Sequence, residues 1–429
     1  MQRHPLPELT PNPLSNEPKE IHMTDTTRKE PYITDNWEVS GRIYRDPEVF
    51  EEEMDKIYGH TWIYVGHESE VADGGDYKTA HLGRQPVILS RSSDDGSLSV
   101  MFNRCRHRGS AVCQQEIGNS NYFRCAYHGW TYGSDGRLIG VPFDDGYGEG
   151  FDKSQFGLVH VPRVDSYRGF IFASLSADVP PLADYLGHAR KYLDFIASIG
   201  DGIELSAHAH KLVFNGNWKL QIENTIDPYH FSFTHQSWLD ILKERNDGKS
   251  SPWVKNVRTN KSWRGIDLEG GHGVHEYGGL DAPTDTHEIA IGELIPFNLN
   301  IFPSLAFVGA HLRLVVPVAV DKTYVYLYPI FPVGADEETR ASILRDHEAF
   351  YGPSGFGSTD DIEVGFDRVT RGMSASASTQ DYSLMRRGLH REVPDPQTGL
   401  RTGRSSDEVP QRAYLRRWLE LMEADSNDK

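Results

Sequence analysis

Cysteine is scarce in this 429-residue chain: there are three, Cys105, Cys113 and Cys125, all within one short segment. A secreted disulfide framework needs more cysteines and spreads them out, so that class is excluded. Long apolar runs are also missing. A membrane helix needs roughly 18 consecutive apolar residues, and the most apolar stretch, residues 294–331, is interrupted by Asn298, Asn300, His311, Arg313 and Asp321. Basic residues are outnumbered. Lys plus Arg is 44 and Asp plus Glu is 62, a net charge of −18. Binders of nucleic acid or of anionic lipid draw their affinity from clustered Lys and Arg, so neither is an expected partner. Residues 1–22 hold five prolines and no apolar segment. That is not a secretory pattern, and the cytoplasm is the expected compartment.

The composition is that of a folded protein, with 38% hydrophobic and 25% charged residues. The length allows two or three domains at roughly 150 residues each. Residues 1–35, rich in Pro, Glu, Thr and Asn, read as a disordered leader, with Met23 as a candidate alternative start. A helical pattern runs from Ile43 to Tyr64, with Pro47 early and Phe50, Met54, Ile57 and Tyr58 at helical spacing. From Thr61 to about Leu175, short β-rich runs alternate with turns such as Asp95-Gly96 and Asp135-Gly136, which predicts a small all-β domain. After Pro180 the pattern is α+β. Helices are expected over 182–199, closed by Gly200, and over 359–371 and 411–422; strands are expected over 208–214 and within 298–332.

The cysteines lie in NRCRHRGSAVCQQEIGNSNYFRCAYHGWTY, which holds Cys105-x-His107 and Cys125-x-x-His128. Two thiolates and two imidazoles suit either tetrahedral zinc or a two-iron, two-sulfur cluster of Rieske type. Zinc sites usually pair Cys with Cys and His with His. Here each loop mixes one Cys with one His, as a cluster with two chemically distinct irons requires. Cys113 reads as core.

A second constellation lies in NGNWKLQIENTIDPYHFSFTHQSW. His230 and His235 follow Glu223, Asn224 and Asp227. Two imidazoles and a carboxylate form a facial triad that leaves positions on iron open for oxygen. Residues five apart stand about 140° from each other on a regular α-helix. The backbone between His230 and His235 is therefore expected to be irregular. Asp227, three residues before His230, can orient that imidazole.

The pair C-x-H-R-G and C-x-x-H-G-W resembles the Rieske domain of ring-hydroxylating non-haem iron oxygenases, in their large (α) subunits. Asn217-Trp218-Lys219, Glu223-Asn224, Asp227, Tyr229-His230 and His235 fall on the same family's pattern, in the expected order. The resemblance implies an α+β fold: a small all-β Rieske domain over 61–175, and a larger helix-grip catalytic domain with an antiparallel sheet over 36–60 and 176–429. It implies that Cys105, His107, Cys125 and His128 hold a [2Fe-2S] cluster. It implies that His230, His235 and an Asp opening a late helix hold a mononuclear Fe(II), with Asp361 favoured over Asp360. Asn224 is expected near the iron, and Asp227 is expected to reach His128 of a neighbouring subunit in a trimer. Tyr127 and Trp130 are expected beside the cluster. Phe231, Phe297, Phe302 and Phe307 are candidate pocket walls.

The implied activity is that of a terminal oxygenase. It takes electrons from a ferredoxin or an NAD(P)H-dependent reductase and inserts O2 into an aromatic acid or hydrocarbon. Branch resemblance adds a small β subunit in an α3β3 assembly. N- or O-dealkylation of a non-ring position is the alternative chemistry. An electron carrier would leave His230, His235 and Asp361 without a role, and a zinc module would give no Rieske signal.

Overall fold

The helix Pro47–Lys56 starts as its sequence dictates. Asp46 accepts the Glu48 N–H at 3.0 Å, and Pro47 occupies the first turn. It ends at Lys56 rather than at Tyr64, because Ile63–His67 is taken as a strand by Phe170–Ser174. The computed structural model describes residues 31–249, 260, 262–278, 280, 295–375 and 381–424. Residues 1–30 of the expected leader, with Met23, lie outside them. Tyr32 and Ile33, at the end of the expected leader, have partners in the fold: Ile33 bridges Val39, and the Tyr32 ring meets Trp418 edge-on at 5.3 Å.

Three small antiparallel sheets follow. One is built from Asp76–Leu82, Gln85–Arg91, Leu98–Phe102 and Ile117–Asn119. A second is a meander of Tyr122–Arg124, Thr131–Gly133 and Leu138–Gly140. The third joins Ile63–His67 to the hairpin Arg163–Tyr167 and Phe170–Ser174. Cys105 and Cys125 sit in the apolar cluster between the first two, among Met101, Phe123, Trp130 and Tyr132. Tyr64, Phe170 and Phe172 of the third sheet, with the adjoining Trp62, pack into the core of the downstream half.

That half is a ten-stranded antiparallel sheet. Its spine is the hairpin His311–Ala319 and Lys322–Pro332, where Val315 faces Val325 and Leu312 faces Tyr328. Its β-branched and aromatic residues suit a buried, pleated surface. The closing helix Val409–Glu423 lies against Arg264–Asp267 and Gly273–Glu276. The helix expected over 182–199 is two pieces, Leu182–Leu186 and Arg190–Ala197, broken at Gly187 with φ +46°. The late helix is also composite. It is α over Phe356–Asp360, π over Asp361–Asp367 and α again over Arg368–Met373. The acidic pair therefore lies inside it, at the α-to-π junction, and does not open it.

Candidate active site and metal centres

The two Cys-His loops fold alike. The Cys105 N–H donates to the Ser110 carbonyl and the Cys125 N–H to the Trp130 carbonyl, both at 2.8 Å. The Gly109 and Gly129 N–H groups donate back to the cysteine carbonyls at 2.9 and 3.0 Å. Both glycines are left-handed, at φ +78° and +74°, which a side chain would strain. The loops bring the His107 and His128 rings to 4.5 Å, and Trp130 stacks on His107 at 5.1 Å. Tyr127 lies against His128 at 3.8 Å while 57% exposed. The Tyr132 hydroxyl lies 3.2 Å from Cys105 Sγ. Burial raises the Cys125 pKa, but backbone N–H groups of Tyr127 and His128, aimed at the sulfur, bring it below the usual thiol range. His107 Nδ1 is buried with no hydrogen-bond partner. Two thiols, two imidazoles and an orphaned ring nitrogen fit a [2Fe-2S] cluster. Among the described residues, three ligand atoms within 4.8 Å are found at His230, His235 and Asp361, and not at these two loops. Cys113 is buried core, with its Sγ 3.6 Å from the Gln115 carbonyl.

The second constellation is built on a broken helix. Trp218–Thr225 is capped by Asn217 and gives out at Ile226, ahead of Pro228. Asp227 Oδ1 accepts the Tyr229 N–H at 2.7 Å, which turns the chain. His230 then caps the short helix Phe231–Thr234. His235 interrupts the path to Gln236–Arg245 with φ −101° and ψ +33°. His230 itself is helical, at φ −66° and ψ −30°; the irregularity that the spacing requires falls at His235.

Across the cavity the α-to-π junction delivers Asp361. Its Oδ1 lies 3.5 Å from His230 Nε2 and 3.2 Å from His235 Nε2. The Asn224 side-chain amide donates to the same oxygen at 3.0 Å and lies 3.3 Å from His230 Nε2. Behind each imidazole stands another acid. Asp227 Oδ2 is 3.5 Å from His230 Nδ1, and Asp360 Oδ2 is 3.3 Å from His235 Nδ1. Burial would lower the His230 pKa, yet Asp227 and Asp361 push it up to about 10. Burial would raise Asp361, yet the two imidazoles hold it below the usual carboxylate range. Two ε nitrogens converging on one carboxylate oxygen, at a cavity wall, fit a divalent non-haem iron. Asp360 serves the ring behind it.

The triad opens on a cavity of about 290 Å³. Phe231 lines it, with Trp238, Ile343 and Phe350. Phe297, Phe302 and Phe307 do not; they are fully buried core.

Residues 61–162 match the family described as Rieske [2Fe-2S] domain. Residues 182–424 match Ring hydroxylating alpha subunit (catalytic domain). The chain belongs to the ring-hydroxylating alpha subunits. It is 32% identical to toluate 1,2-dioxygenase subunit alpha of Pseudomonas putida over 385 residues, 84% of this chain and 83% of that protein. It is 34% identical to the anthranilate 1,2-dioxygenase large subunit of Acinetobacter baylyi over 396 residues, 84% and 82% of the two. Naphthalene 1,2-dioxygenase from Rhodococcus sp. bound to indole superposes with a TM-score of 0.80 at 29% identity, over 91% of this chain and 96% of that one. A quaternary ammonium Rieske monooxygenase shares the fold alone, at 20% identity and a TM-score of 0.67. This alpha subunit is therefore an oxidoreductase, the oxygenase component of an electron-transfer system.

Sequence reasoning missed part of this alpha subunit's cavity. His311, Arg313, His347 and Tyr351 line it, from the strand His311–Ala319 and the helix Glu337–Tyr351. A signal existed at Arg313, a charge inside the otherwise apolar run LRLVVPVAV.

Proposed function

We propose that this alpha subunit inserts O2 into an aromatic acid or hydrocarbon at a mononuclear iron held by His230, His235 and Asp361. The convergence of their three ligand atoms within 4.8 Å at the cavity wall carries the reading. Relatives named for toluate, anthranilate and naphthalene support the aromatic substrate. When bound, the [2Fe-2S] cluster at Cys105, His107, Cys125 and His128 supplies single electrons, and the iron supplies open positions for oxygen.

The chain's own residues then have defined work. Asn224 holds the Asp361 carboxylate through one N–H and stands beside His230. Asp360 and Asp227 fix the ring orientations of His235 and His230 from behind. Phe231, Trp238 and Phe350 keep water from the reacting face. Asp227 and His128 are both partly exposed. We read the two as meeting between neighbouring subunits of a trimer, completed to α3β3 by a small β subunit. The donor is a ferredoxin or an NAD(P)H-dependent reductase, in the cytoplasm. Residues 61–175 form the cluster domain, and 36–60 with 176–429 form the catalytic domain.

The test uses purified protein with a surrogate ferredoxin and reductase. A Rieske EPR signal on reduction and oxygen uptake matched by a cis-dihydrodiol or phenol are expected. A reduced cluster with no oxygenated product from a panel of aromatic acids and hydrocarbons would sink the reading.

A further inference from the structure

Four cationic side chains are almost fully buried among the described residues: Lys78, Lys219, Arg313 and Arg412. Three have a carboxylate partner. Lys78 pairs with Glu70, Lys219 with Glu53 and Arg412 with Glu392. Arg313, 5% exposed, has none within ion-pair distance among the described residues. An unpaired buried charge carries a heavy desolvation penalty, and proteins retain one where an anion completes it.

Its contacts are neutral. Arg313 Nε donates to His311 Nε2 at 2.9 Å, Nη1 donates to Thr225 Oγ1 at 3.3 Å, and the guanidinium faces the Tyr351 ring at 5.2 Å. Nη2 has no partner among the described residues. Asp361 is the carboxylate whose charge reaches it, and Asp361 is already held by His230, His235 and Asn224. Beside it, His347 has both ring nitrogens, and His311 has Nδ1, buried without a hydrogen-bond partner. Burial and the neighbouring cationic groups hold both imidazoles neutral, His347 at about 3. A neutral imidazole donates one N–H. All three side chains line the cavity that carries the triad. The free side of the guanidinium matches the two oxygens of a carboxylate. A cavity of about 290 Å³ lies near the low end of the ~300–1,000 Å³ typical of ligand sites, which suits a small ring.

We propose that Arg313, with His311 and His347, is a carboxylate subsite inside the active-site cavity, and that the substrate is an aromatic monocarboxylate. The ring lies against Phe231, Trp238, Ile343 and Phe350, and the carboxylate lies on Arg313. This rests on the oxygenase reading above and narrows its substrate from any arene to an aromatic acid.

The experiment is isothermal titration of the holoenzyme with benzoate, salicylate and 1-naphthoate, each against its neutral amide. The acid that binds best is expected to bind about 100-fold more tightly than its amide, the scale of a charge-assisted, desolvated contact. Arg313→Gln is expected to bring that ratio near unity, and Arg313→Lys to keep part of it. The Rieske absorption spectrum checks that each variant is loaded and folded. Should Arg313→Gln not fold, the wild-type ratio and Arg313→Lys still decide. Equal binding of acid and amide by the wild type, an unchanged acid Kd in Arg313→Gln, or no binding of any acid overturns the subsite. Product formation is scored separately. Acids held through Arg313 but never oxidised would overturn the oxygenase reading and leave the subsite standing. Neutral arenes oxidised while acids are ignored would do the reverse.

Discussion

Asp360 and Asp361 are neighbours in sequence with separate tasks. Asp361 points between two imidazoles; Asp360 stands behind one of them. Such outer carboxylates typically contribute 10–100-fold in metal affinity. Asp360→Asn is therefore expected to weaken iron binding by about 10–100-fold, read by chelator competition, with the cluster spectrum unchanged. Asp227→Asn is expected to abolish turnover even when excess iron keeps both metal sites loaded, measured by metal analysis beside oxygen uptake; full activity would remove its bridging role. His272 gives a pH prediction. Its Nδ1 accepts the Phe302 N–H at 3.0 Å and its Nε2 donates to the Tyr185 carbonyl at 2.9 Å. Burial lowers it to about 4, so the folded state holds it neutral. Below its ordinary 6.5 the unfolded chain takes up the proton first. Stability is then whole above about pH 6.5 and falls as pH drops to 4, by on the order of 3 kcal/mol for this group. His272→Gln is expected to make that acid limb shallower by this group's share in urea unfolding series, leaving the slope above pH 7 as it was.

Elements are tied together by one buried acid. Glu53, on Pro47–Lys56, accepts Trp218 Nε1 at 2.8 Å and Trp418 Nε1 at 2.7 Å and pairs with Lys219. It joins that helix to the helix that leads into His230 and to the closing helix. Glu53→Ala strands a buried ammonium and two indole N–H groups, at an expected cost of about 3–5 kcal/mol in denaturant unfolding. A loss under 1 kcal/mol would contradict this. The elements differ in how legible they were. The strands of 298–332 and the closing helix follow from β-branched runs and a broad apolar face. The helix Glu337–Tyr351 did not, because its buried residues are just Ile343 and His347 and its periodicity is faint. The π segment at Asp361 leaves no sequence mark; it is the kind of helix irregularity that gathers at functional sites.

For the whole molecule, the proposed bridge from Asp227 to a neighbour's His128 makes electron transfer a property of the assembly. Co-expressing a His107→Ala subunit, without a working cluster, with a His230→Ala subunit, without a working iron site, tests it. Neither is expected to turn over alone. Mixed trimers are expected to recover about a tenth to a third of wild-type product, because some neighbouring pairs hold one intact site of each kind. No recovery in mixed trimers confirmed by mass would confine transfer to one chain.

Local spacing by itself pointed to the candidate ligand types. Cys105-x-His107, Cys125-x-x-His128 and the His230–His235 interval each lie within one turn or loop, where a few backbone angles decide what converges. The tertiary structure alone decided which aromatics line the cavity and which buried cation lacks a partner, and it brings to the two histidines Asp361, the acid that the resemblance favoured. Asp361 and Arg313 reach the cavity from a late helix and a central strand, far along the chain from His230. Whether a buried charge is paired depends on every segment packed around it, so no local pattern encodes it.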